Sequence, residues 1–169
     1  MKLLIKETYK FIFQSGLSLL DTFPDSNFGN RLRGFYVAMF VKGDKKGLQI
    51  CKNVHILYPR NISIGRDSYI GYGTWINAMG GLNICDEVMI GPYVKISTGD
   101  HTFKDSSFRF GEHNMAPVSL GTGCWVAASV TITKGTNIGA RSVVAAGSVV
   151  TKDIEPDGVY GGVPAKKLK

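Results

Sequence analysis

The chain has 169 residues, 44% apolar and 20% charged, with 21 glycines and a formal charge of +7. This length suits one domain with a packed core, and the composition excludes a disordered chain. The positive balance favours anionic partners, but the lysines fall in small groups such as Lys42, Lys45 and Lys46, and no basic-aromatic stripe points to nucleic acid.

Residues 1–45 read as a helical segment. Leu3 to Leu20 is apolar, yet Lys6, Glu7, Lys10 and Gln14 interrupt it, which rules out a transmembrane span. It lacks the cleavage pattern of a signal peptide and reads as an amphipathic helix able to rest on a membrane. A second helix is predicted over 28–42, with Asn27 as its N-cap and Phe28, Leu32, Phe35, Tyr36, Met39 and Phe40 at helical spacing. That stripe is expected to pack inward and cap the open end of the repeat region that begins near residue 46. Cys51, Cys85 and Cys124 form no CxxC or zinc pattern and read as reduced thiols of a cytoplasmic protein.

From about residue 46 to 155 a period of six takes over. Leu120, Val126, Ile132, Ile138, Val144 and Val150 stand six apart. Ile64, Ile70 and Ile76 form an earlier run, and Ile84, Ile90 and Ile96 another after a two-residue slip at Gly80-Gly81. The position four after each aliphatic is small or β-branched, as at Ser68, Thr74, Val88, Cys124 and Ser142. The position one after is often glycine, as at Gly65, Gly71, Gly91, Gly121 and Gly139, and these glycines are expected to relieve the corners. Six fits neither a helix nor a flat strand. It fits a short strand and a turn, three to a triangular coil, stacked as an all-β solenoid. Residues 97–118 break the repeat and carry Asp100-His101-Thr102-Phe103. Such an excursion from a regular scaffold is expected to carry function. Residues 156–169 read as a tail rich in glycine and lysine.

Over about residues 50–169 the sequence resembles the hexapeptide-repeat acyltransferases, nearest to those of sugars and surface polysaccharides. The resemblance implies a left-handed parallel β-helix with a short helical N-terminal segment, and a homotrimer with sites between subunits. It implies O-acetylation of a saccharide hydroxyl, on an oligosaccharide or lipid-linked sugar in polysaccharide synthesis, with acetyl-CoA as donor and no metal required. Alternatives are N-acetylation of an amino sugar, a non-catalytic solenoid, or a metal-binding one using His55, His101 and His113.

Acyl transfer needs a base of near-neutral pKa, and His101, at the boundary of coil and excursion, is the candidate. By resemblance Asn77, in Trp75-Ile76-Asn77-Ala78, and Trp125, in Cys124-Trp125-Val126-Ala127-Ala128, face the acceptor. His113 is a weaker candidate for the acceptor. The Ala128 N–H matches an oxyanion donor. Ala146, Thr151 and Lys152, with Lys166 and Lys167 after Gly161-Gly162-Val163-Pro164, match the family's cofactor-binding ending, the lysines suiting phosphates.

Overall fold

The computed structural model describes residues 2–169, with side chains from Thr8 onward, so Lys6 and Glu7 of the apolar stretch lie outside the described side chains. Two helices, α1 (Lys2–Leu20) and α2 (Asn27–Ala38), precede a parallel β-solenoid of about six turns.

The period of six becomes three aliphatic ladders, one inside each face. Along the first run Ile64, Ile84, Leu120 and Ile138, each paired in register with the next. The second holds Ile50, Ile70, Ile90, Val126, Val144 and Tyr160. The third holds Ile56, Ile76, Ile96, Ile132 and Val150. All are buried. Each contributes on the order of 1.5–3 kcal/mol by leaving water, so the ladders dominate the core. The positions four after each aliphatic, Ser68, Thr74, Val88, Cys124, Ser142 and Ser148, are buried beside them. The hydroxyls there are not orphaned: Ser142 and Ser148 each donate to a carbonyl three residues back, at 2.6 Å.

The corner glycines work differently from the expectation. Those one after each aliphatic lie outside the positive-φ region. They are small because coils approach closely there: a Cβ at Gly91 would sit 2.8 Å from the backbone of Ala127 and Ala128, and one at Gly71 2.7 Å from that of Gly91. The left-handed residue is the third after the aliphatic, at Gly73, Gly123, Gly135 and Gly147 but also at Asn53, Asp67, Glu87, Tyr93, Ser129, Arg141 and Asp157. Side chains bear a modest strain there because the turn demands it.

The chain departs from the period at one corner only, between the third face and the first. Pro59–Asn61 adds a 3₁₀ turn there, Gly80-Gly81 adds the slip one coil later, and residues 98–117 leave from the same corner a coil further on. The ladders resume in register at Val118.

Helix α2 lies on the first coil with only part of the expected stripe turned inward, Tyr36 and Phe40 packing against the core. Phe28, Phe35 and Met39 point to solvent, while Gly29, Asn30, Arg33, Gly34 and Val37 are buried. A side chain at Gly34 would run into the Leu48 carbonyl, so only a small residue permits this approach. Arg33 is fully buried, and its guanidinium donates to the carbonyls of Ile50 (2.9 Å), Phe23 (3.0 Å) and Leu20 (3.2 Å) and to Asp25 (2.7 Å). Of these acceptors the Ile50 carbonyl belongs to the end coil, where a further coil would otherwise take it, and those of Leu20 and Phe23 lie at the end of α1 and in the link to α2, so Arg33 ties the helices to the coil. Of the aromatic stripe, Tyr36 and Phe40 turn to α1, stacking with Phe13. The N-cap is Ser26 rather than Asn27; its hydroxyl accepts from the Gly29 N–H at 3.1 Å.

Candidate functional site

The excursion is an arm. Gly99–His101 runs out from the corner and His113–Met115 returns antiparallel to it, with His101 opposite His113 and Asp100 opposite Asn114. Side chains alternate along a strand, so the neighbours Asp100 and His101 diverge. Asp100 meets Lys134 Nζ at 3.4 Å, on the next coil. His101 is exposed, and its ring lies 4.7 Å from that of His113 at 52°. Each ring limits the other's rotation. His55 projects from the third face of the first coil, away from them, and among the described residues no group of three His, Cys, Asp or Glu side chains is placed to hold a metal ion.

Asn77 lies directly before Ser97 in the third sheet, one coil below the root of the arm. Its Oδ1 accepts from the Met79 N–H at 3.2 Å, which leaves the Nδ2 group to donate outward. Trp75 projects from the same strand two residues earlier, partly exposed, beside Lys95. Sequence reasoning passed over Trp75 as a site residue; its alternation with Asn77 across buried Ile76 was the available signal.

The other candidates gather elsewhere. Trp125 is exposed on the second face between Met89 and Val143 and borders a shallow cleft with Glu87, Met89 and Gly123. Ala128 follows at the corner between the second and third faces, and Ala146 stacks on it, the Gly147 N–H donating to the Ala128 carbonyl at 2.9 Å. Gly162 and Ala165 complete this column, joined to Val149 at 3.0 and 2.8 Å. The N–H at this place in a corner turns outward. Asp86 takes the one from Arg66 and Asp25 the one from Lys52, whereas among the described residues no side chain takes those of Ala128 and Ala146. Small residues leave that column open for a long, thin ligand. Thr151 and Lys152 are exposed at the corner of the arm, two coils past it, and Lys166–Lys167 runs antiparallel to Tyr160–Gly161 beyond the second face. On one chain, then, His101, His113 and Asn77 share one edge of the prism, while Trp125, Ala128 and Ala146 line the next.

A model of the hexapeptide repeat of succinyl-transferase matches residues 117–152. The chain carries that repeat there. It is 36% identical over 116 residues to the galactoside O-acetyltransferase of Escherichia coli strain K12, covering 69% of this chain and 57% of that one. It is 29% identical over 139 residues to a putative colanic acid biosynthesis acetyltransferase of the same organism, covering 82% and 75%. Among solved structures, the hexapeptide-repeat acetyltransferase of Vibrio cholerae O1 biovar eltor complexed with acetyl coenzyme A superposes with a TM-score of 0.77 at 28% identity, covering 93% of this chain and 84% of that one. The chain spans little more than half the length of the galactoside enzyme.

Proposed function

We propose that this protein transfers an acetyl group from acetyl coenzyme A to a saccharide hydroxyl, at sites completed between the subunits of a homotrimer. The observation that carries the reading is the placement of His101: an exposed imidazole on a short arm rooted in a rigid coil beside Asn77. The names of the galactoside and colanic acid relatives support a sugar acceptor, and the acetyl coenzyme A complex supports the donor.

His101 takes the proton of the acceptor hydroxyl as its oxygen attacks the thioester carbonyl carbon. Asn77 Nδ2 donates to the acceptor and orients it. The carbonyl π pair moves onto oxygen, and the Ala128 N–H donates to that oxyanion. The pair returns, the carbon–sulfur bond breaks, and the leaving thiolate takes the proton held on His101. Products are an acetyl ester and coenzyme A, with no acyl-enzyme. The Ala128–Ala146 column receives the pantetheine arm, Trp125 flanks the acceptor, and Thr151, Lys152, Lys166 and Lys167 serve the nucleotide end. His113 restrains the His101 ring and borders the acceptor.

The two groups of residues lie on different edges of one prism, which supports assembly that places one subunit's arm against its neighbour's column. A lipid-linked acceptor at the membrane fits the outward layer of α1 and α2, where Phe11, Ile12, Leu19, Phe28, Phe35 and Met39 are exposed. No helix among the described residues is long and apolar enough to cross a membrane. Three free thiols suit a reducing cytoplasm.

The test is a screen of acetyl transfer from acetyl coenzyme A to a panel of neutral saccharides and amino sugars, with mass spectrometry locating the new acetyl group. An ester on a neutral sugar is expected. Exclusive amide formation would replace the hydroxyl acceptor by an amine, and no transfer to any member would remove the reading.

A further inference from the structure

Thr98 stands between the proposed base and the proposed acceptor-holding residue. It is fully buried at the root of the arm, although Asp100 and His101 further along the arm are exposed. Its hydroxyl donates to the Asn77 carbonyl at 3.0 Å and accepts from the Gly80 N–H at 2.7 Å. Its own N–H also donates to the Asn77 carbonyl, at 3.0 Å, and its carbonyl accepts from the Ala116 N–H of the returning strand at 3.1 Å. One residue therefore ties the acceptor-side strand, the Gly80 slip and both legs of the arm. Gly80 is small for this purpose, since a Cβ there would sit 2.5 Å from the Thr98 carbonyl oxygen. His101 is three residues along the outgoing strand, so a small rotation about this joint moves the imidazole by much more.

We infer that Thr98 is a positioning residue: its hydroxyl locks the outgoing strand onto Asn77 and so fixes the distance between the acceptor and the base. The inference rests on the reading of His101 as base and Asn77 as acceptor-holding residue. A packing role alone needs a side chain of this volume but no hydroxyl. A positioning role needs the hydroxyl, and its loss should lower kcat while sparing the Ala128–Ala146 column, which lies on another edge.

The experiment uses the full chain with Thr98→Val, Thr98→Ser and Thr98→Ala beside His101→Ala. Thr98→Val keeps the volume and removes the hydroxyl. It is expected to lower kcat by roughly tenfold or more, as small misplacements of a base do, with the KM for acetyl coenzyme A unchanged. Thr98→Ser is expected to restore kcat to within about twofold, since the hydroxyl is the working group. If valine prevents folding, the Ser and Ala variants isolate the hydroxyl at nearly equal size, and their kcat ratio carries the same test. Equal kcat in Thr98→Ser and Thr98→Ala, or a wild-type kcat in folded Thr98→Val, overturns the inference while an inactive His101→Ala leaves the wider reading standing. Wild-type turnover in His101→Ala overturns that reading instead.

Discussion

His101 lies tilted against His113 and fills no part of the core, so chemistry and stability should separate at this residue. His101→Ala is expected to lower kcat by roughly 10²–10⁴ with an unchanged melting temperature, measured on the same preparation. The buried thiol of Cys124 gives the opposite kind of prediction. Desolvation, helped by Cys85, pushes it up from an ordinary 9.0 to about 12. The hydrogen bond to Cys51, and then burial, raise Tyr69 from 10.0 to about 12. Both groups bind their protons more tightly in the folded protein. Their contribution to stability is therefore complete below the ordinary values and is lost as pH rises from about 9 to about 12. Thermal melts should show the midpoint falling across that alkaline window. Cys124→Val, which puts there the residue already found at position 88, should flatten the fall. His101 could be singled out from sequence because it interrupts a pattern. Thr98 could not, because a threonine before an excursion has no special spacing; its importance lies in partners 18 and 21 residues away.

At the scale of the element, the ladders were legible because every aliphatic at period six must face the same interior, whatever the turn between them. The glycines were legible as necessary and misleading as to why. Close approach of coils needs a missing Cβ, whereas the positive φ falls two residues later, where any residue that tolerates it can stand. The two demands predict different costs. Gly91→Ala should destabilise by about 1–3 kcal/mol, the cost of overpacking a rigid backbone. Gly147→Asn, at φ +72° with open space around it, should cost well under half as much, because asparagine tolerates that region. Urea titrations of the two variants compare them directly. Helix α2 was misread because its aromatic stripe looked like a core face, while the core side holds two glycines and a buried arginine. The coil beneath offers carbonyls rather than apolar surface. Arg33→Met should then cost on the order of 3 kcal/mol in the same titration, since it strands several buried acceptors at once.

For the whole molecule, the separation of the two candidate groups onto different edges has a direct consequence. Subunits carrying His101→Ala lack the base, and subunits carrying Ala146→Trp have a blocked column. Each variant alone should be inactive. If arm and column meet across an interface, co-expression of the two should yield mixed assemblies with a measurable share of wild-type turnover, because some interfaces then hold both intact halves. Sites built within single chains would give none. The sequence could not disclose this, because a period describes how one chain stacks upon itself and carries no information on which edges meet.

Every departure from the period leaves through the same corner, and the ladders close behind it without losing register. The solenoid thus has a port. Whatever is spliced between Thr98 and Ala116 joins a frame whose ladders keep their register on either side of it, so that stretch of the arm can be lengthened, shortened or exchanged at little expense to the core. On the proposed reading, recognition of the acceptor can drift in such a chain while the donor side stays fixed, and a transplanted arm is the natural way to ask it for a new substrate.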